Sequence, residues 1–116
     1  MMKKNALFVF NGDPLCFIHV LLNALDMDEK GFQIKVVVEG AAVKLLPELA
    51  SEASPLHKLW NRVKEKGLIH GVCKACANKM GTLDEAVKQG LTPLGDMSGH
   101  PSMSSYIKKG YEILIF

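Results

Sequence analysis

Apolar and polar positions alternate along the chain in two periods, one suited to strands and one to helices. Ala6–Phe10 is a five-residue apolar run that predicts a first strand. The cluster Asn11-Gly12-Asp13-Pro14 ends it and opens a helix, with Asp13 as cap and Pro14 in the first turn. That helix runs from Leu15 to Asp28, with Leu15, Ile18, Leu22 and Leu25 on one face. Phe17, Val20, Leu21 and Ala24 widen its apolar surface, which predicts burial on several sides or a subunit interface. Gln33–Glu39 is rich in β-branched residues and nearly continuous, as a parallel strand covered on both faces requires. Ala42–Leu46 predicts a short helix that Pro47 limits, and the register of 48–53 stays open. Ser54-Pro55 predicts the start of a helix carrying Leu56, Leu59, Trp60 and Val63, closed by Gly67. Leu68–Val72 predicts a third strand, followed by a short helix from Cys73 to Met80. Thr82 and Glu85 match a capping box for a helix that Gly90 stops. Leu91–Leu94 predicts a fourth strand. Pro101 opens a helix with Met103, Tyr106 and Ile107 on one face, and Tyr111–Phe116 predicts the last strand.

Strands separated by helices imply right-handed crossovers and a mostly parallel five-stranded sheet of the α/β class. Ligands gather at the carboxyl ends of the strands in such sheets. Here that edge comprises Asn11-Gly12-Asp13, Glu39-Gly40, Val72-Cys73-Lys74 and the loop from Gly95 to His100.

Composition narrows the class without naming it. The 116 residues are 48% hydrophobic and 22% charged, with a net charge of +2, which fits one soluble domain spanning 1–116. No basic run or aromatic-basic face appears, so nucleic acid is not an expected partner. The opening "MMKKNALFVFNGDP" does not make a signal peptide, because its apolar run is short and quickly broken. No stretch approaches the roughly 20 apolar residues of a spanning helix. The expected location is the cytoplasm, with no membrane partner. Three cysteines, an odd number, argue against a secreted disulfide framework.

The chemistry concentrates in "LIHGVCKACANKMG". Cys73 ends a strand and precedes a helix, where a helix N-terminus favours thiolate; Lys74 and Lys79 add positive charge. Cys76, one turn on, is placed to act as a resolving thiol or second carrier. Four readings stand: a reactive sulfur-carrying or redox thiol, a thioredoxin-type pair, a metal site, or small residues packed under the sheet edge. The thioredoxin reading lacks the surrounding aromatic and proline. The metal reading has His70 in a His-x-x-Cys-x-x-Cys series, with His100 able to enter from the facing loop. One knuckle without a second falls short of a zinc signature. His100, in "GDMSGHPS", either orients a thiolate and moves a proton or simply precedes the next helix. Asp13 and Glu39 are either edge groups or a cap and a turn residue. Cys16 and His19 read as buried packing residues, and His57 as exposed.

The order and spacing of "ALFVFNGDP", "KVVVEGAAVKLLPEL", "LIHGVCKACANKMG" and "SYIKKGYEILIF" resemble the DsrE/DsrF-like family, over nearly the whole chain. The resemblance implies a flavodoxin-like three-layer sandwich that assembles into homotrimers, hexamers or dimers. It implies that a cysteine after the third strand, here Cys73, accepts persulfide sulfur from a donor protein and passes it to an acceptor. Ala75, Ala77 and Gly81 fit the pattern around that cysteine; relay members often carry Arg-Arg-Gly where this chain has Lys79-Met80-Gly81. The expected site residues are Cys73, Cys76, His100 and Lys74, with no cofactor and no metal. The chain is then either a sulfurtransferase or a sulfur carrier. The alternative is a binding module for a metal or small anion, or a structural oligomer subunit of the same fold.

Overall fold

A computed structural model describes residues 2–116. Five strands form one sheet: β1 (Lys4–Val9), β2 (Gln33–Val38), β3 (Ile69–Cys73), β4 (Pro93–Leu94) and β5 (Glu112–Ile115). Their order is β4-β3-β2-β1-β5, and every pairing is parallel. The sheet is flavodoxin-like, and wholly parallel rather than mostly so.

The strand order dictates where the helices lie. The chain steps outward from β1 to β4 and then returns to the far side of β1. Right-handed crossovers therefore put the connections of the outward steps on one face and that of the return on the other. The first face carries α1 (Pro14–Glu29), a 3-10 segment (Gly40–Leu45), α2 (Leu46–Leu49), α3 (His57–Glu65), α4 (Lys74–Lys79) and α5 (Leu83–Lys88). Leu7, Val9, Val36 and Val38 pack there against Phe17, Leu21 and Trp60, all fully buried. The second face has α6 (Met103–Lys108), whose Tyr106 packs with Ala6, Phe8, Val37 and Tyr111.

The cap of α1 is as expected, while its buried face, the 42–46 segment and the start of α3 depart from expectation. Asp13 caps α1, its Oδ1 accepting from Leu15 N–H at 2.9 Å, and Pro14 sits where a missing N–H costs nothing. The buried stripe of α1 is Phe17, Val20, Leu21, Ala24 and Leu25, whereas Leu15 is 78% exposed and Leu22 46%. The helix 42–46 is a 3-10 segment that passes into α2 at Leu46. α3 begins at His57, two residues after Pro55, because Ser54 Oγ first turns the chain by accepting from Leu56 N–H at 3.1 Å.

Two expectations fail for identifiable reasons. The capping box does not form: Thr82 Oγ1 is buried without a partner, and Glu85 instead accepts from Gln89 Nε2 at 2.9 Å. Gln89 also accepts from Trp60 Nε1 at 2.9 Å and donates to Leu46 O at 2.9 Å, so it ties α5 to α3 and α2. The fourth strand shrinks to Pro93–Leu94, since Pro93 has no N–H and suits only an edge.

Candidate functional site

Cys73 and His100 face each other because of the topology. The chain leaves β3 toward the α4 face and leaves β4 toward the α6 face. The gap between two adjacent strands that exit to opposite faces is where open α/β sheets make their clefts. Cys73 ends β3 at that gap, and His100 follows β4.

The loop from Gly95 to His100 is fixed by backbone chemistry. Met97 and His100 form a two-way bridge, with N···O distances of 2.8 and 2.9 Å. The turn between them, Ser98-Gly99, has φ of 51° and 88°, the positive pair that a type I′ turn demands. Gly99 O then accepts from Ala75 N–H at 2.8 Å, pinning the loop to the first turn of α4. A Cβ on Gly99 would also meet Ala75 Cβ at 3.2 Å.

Cys73 is fully buried and caps α4 with its sulfur, which accepts from Cys76 N–H at 3.3 Å. Its Sγ lies 3.1 Å from His100 Nδ1. Cys76 Sγ lies 3.8 Å from the same nitrogen. Glu39, at the end of β2 and only 8% exposed, brings Oε2 to 4.0 Å from it, while its Oε1 is buried with no hydrogen-bond partner. One ligand-type atom from each of these four residues lies within 4.8 Å of the other three.

The expected thiolate at Cys73 is not the resting form. Burial pushes the thiol up to about 12; the neighbouring Cys76 and the charge of Glu39 push the same way, against the Cys76 backbone N–H. α4 has six residues, too short a stack of dipoles to outweigh desolvation. Lys74, expected to steady the anion, is exposed, its stem along Gly95, and stands outside the cluster. Burial likewise raises the Glu39 carboxyl, which the nearby His100 opposes.

Access comes through a cavity of about 340 Å³ lined by Gly40, Ala41, Ala75, Cys76, Lys79, Met80 and His100. Cys76 stands in its wall, with Cys73 behind. A larger open hollow of about 660 Å³ along the start of α3 is lined by Glu52, Ser54, Pro55, His57, Lys58 and Asn61 and lacks the cysteines.

The other candidates lie elsewhere. Asp13 is a helix cap. His70 occupies an extra residue in β3, where the pairing to β2 slips between Val36 and Val37; its Nδ1 meets the Tyr106 hydroxyl on the α6 face. His57 is not exposed as expected: its ring lies 2.9 Å from Leu49 O and 3.0 Å from Asn61 Nδ2. Cys16 is half-buried and His19 exposed, neither of them the core residue expected. The residue whose part sequence reasoning left open is Glu39. Its signal was an acid placed directly after a β-branched run and before Gly40, at the carboxyl end of a strand.

Comparison with known proteins bears on the whole chain. It is 37% identical over 97 residues to an uncharacterised protein of Methanocaldococcus jannaschii, covering 84% of this chain and 77% of that one. It is 36% identical over 58 residues to an uncharacterised protein of Archaeoglobus fulgidus, covering 50% of this chain and 93% of that one. A conserved protein of unknown function from Bacteroides thetaiotaomicron shares the fold, with a TM-score of 0.70 at 19% identity over 98% of this chain and 95% of that one. The sequence model of the DsrE/DsrF-like family matches residues 4–116. With the cysteine after β3 and the parallel sheet in the places the resemblance required, the chain belongs to the DsrE/DsrF-like family, a family of sulfur-relay type.

Proposed function

We propose that this protein carries sulfane sulfur on Cys73, with His100 as proton acceptor and Cys76 as resolving thiol. The observation that carries the reading is the 3.1 Å approach of Cys73 Sγ to His100 Nδ1 behind a cavity walled by Cys76. A thiol that rests protonated needs a base at the moment of attack, and His100 is within reach. Cys73 passes its proton to His100, and its sulfur attacks the terminal sulfur of a persulfide or polysulfide. The donor S–S bond breaks, its electron pair leaves on the donor sulfur, and that sulfur takes up the proton. Cys73 then bears one extra sulfur. An acceptor thiolate attacks that outer sulfur and restores the Cys73 thiol. Alternatively Cys76, whose sulfur lies within 4.8 Å, attacks the inner sulfur. That route releases sulfide and leaves a Cys73–Cys76 disulfide.

The donor and acceptor are proteins or small polysulfides, and the working form is a homo-oligomer, as trimer, hexamer or dimer. The exposed Leu15, Leu22, Ile107 and Ile115 support that assembly.

The variants separate the roles. Cys73→Ser should abolish sulfur loading from polysulfide. Cys76→Ser should load but release no sulfide until a thiol is added. Full loading of Cys73→Ser would contradict the assignment.

A further inference from the structure

The geometry points to a second occupant of the same cluster: we propose that Cys73, Cys76, His100 and Glu39 form a tetrahedral site for a divalent metal of zinc type. Three observations converge on it. First, the donor set is two thiols, an imidazole and a carboxylate, a combination that suits Zn²⁺ and not the hard cations that want oxygen alone. Second, the spacing is that of ligands around one ion. Zn–S bonds of about 2.3 Å and Zn–N or Zn–O bonds of about 2.0–2.2 Å place tetrahedral ligand atoms roughly 3.3–3.8 Å apart. His100 Nδ1 lies 3.1 Å from Cys73 Sγ, 3.8 Å from Cys76 Sγ and 4.0 Å from Glu39 Oε2. The remaining pairs lie within 4.8 Å, so closing on an ion draws the ligand atoms together by up to about 1 Å. Third, Glu39 is 8% exposed and its Oε1 has no hydrogen-bond partner, although it is buried beside the cluster. A buried carboxylate oxygen without a donor is costly, and a cation beside it removes that cost.

The surroundings match those of metal sites. Cys76 N–H already points at Cys73 Sγ at 3.3 Å, as an outer-shell donor to a bound thiolate would. The ligands come from the ends of β2 and β3, the first turn of α4 and a turn pinned by Gly99 O, all parts with little freedom to move. Binding replaces both thiol protons by the metal and releases them to solvent; no electron is transferred. The proposal does not rest on the sulfur chemistry. Coordinated sulfurs are not free to attack, so metal and persulfide are alternative occupants.

Cobalt titration of the reduced, metal-free full-length chain tests this, because Co²⁺ in a tetrahedral thiolate site shows intense visible bands. The expected result is saturation at one Co²⁺ per chain, with displacement by Zn²⁺. Cys73→Ser and Cys76→Ser should each lose more than the roughly 10–100-fold in affinity that outer-shell changes cost. Glu39→Gln keeps size and both cysteines, and should weaken binding at least about tenfold; Cys16→Ser should leave it unchanged. Weak octahedral-type absorption, no saturation, or undiminished affinity in Glu39→Gln would overturn the site. Sulfur loading is read separately on the metal-free chain, so failure of one reading leaves the other measurable.

Discussion

Two influences compete at Cys73. As a helix cap its sulfur accepts one backbone N–H, which favours the anion; as a fully buried group beside Glu39 it is denied water, which favours the neutral thiol. Burial wins, and the proton acceptor at 3.1 Å becomes the residue that makes chemistry feasible. His70 shows the same balance in a structural setting. Burial, then the charges of Lys35 and Lys109, hold its imidazole below the ordinary 6.5, with Asp96 opposing. The unfolded chain thus binds a proton that the folded one refuses. Stability is present above the unfolded value and is lost as pH falls below about 6.5. Urea midpoints at about pH 7.5 and about pH 5.5 should differ, and His70→Gln, which still offers Tyr106 an acceptor, should shrink the difference. An unchanged pH dependence in that variant would remove His70 as its source.

At the scale of elements, the seam between β3 and β4 decides where His100 sits. Gly71 permits the close approach: a Cβ there would lie 2.4 Å from Thr92 O and 2.7 Å from Leu94 Cγ. Gly71→Ala should cost about 1–3 kcal/mol in urea unfolding and slow sulfur loading, because β4 leads directly into the histidine loop. A variant with wild-type stability and loading would show that the seam does not position the site. This element also marks how far the sequence could be read. The apolar runs Ala6–Phe10 and Leu68–Val72 located β1 and β3 within two residues, since period and β-branching are local properties. The meeting of Cys73 with His100 was legible as a shared sheet edge. Glu39 was legible at the same edge, but its approach to His100 was not, because the order of strands does not say which edge groups turn toward one another. The capping box misled because Glu85 pairs instead with Gln89, four residues on, a competing i,i+4 contact that Trp60 and Leu46 hold in place from other elements.

For the whole molecule, the strand order leaves the two faces unequal. Five short or long helices and a 3-10 segment cover one side, while α6, six residues long, faces the other. Ile107 on α6 is 59% exposed and Ile115 on the β5 edge 64%, and on the opposite face Leu15 is 78% exposed. Light scattering on the purified chain should therefore give a small multiple of the chain mass, and a monomer at micromolar concentration would count against the oligomer. Among the described residues no helix is long and apolar enough to cross a membrane.

The proposed chemistry turns on one sulfur atom. The direct measurement is the intact mass of the reduced, metal-free protein after incubation with polysulfide, followed by peptide mapping. The expected result is one added sulfur per chain, located on Cys73 and removed by reductant. No adduct, or one confined to Cys16, would contradict it.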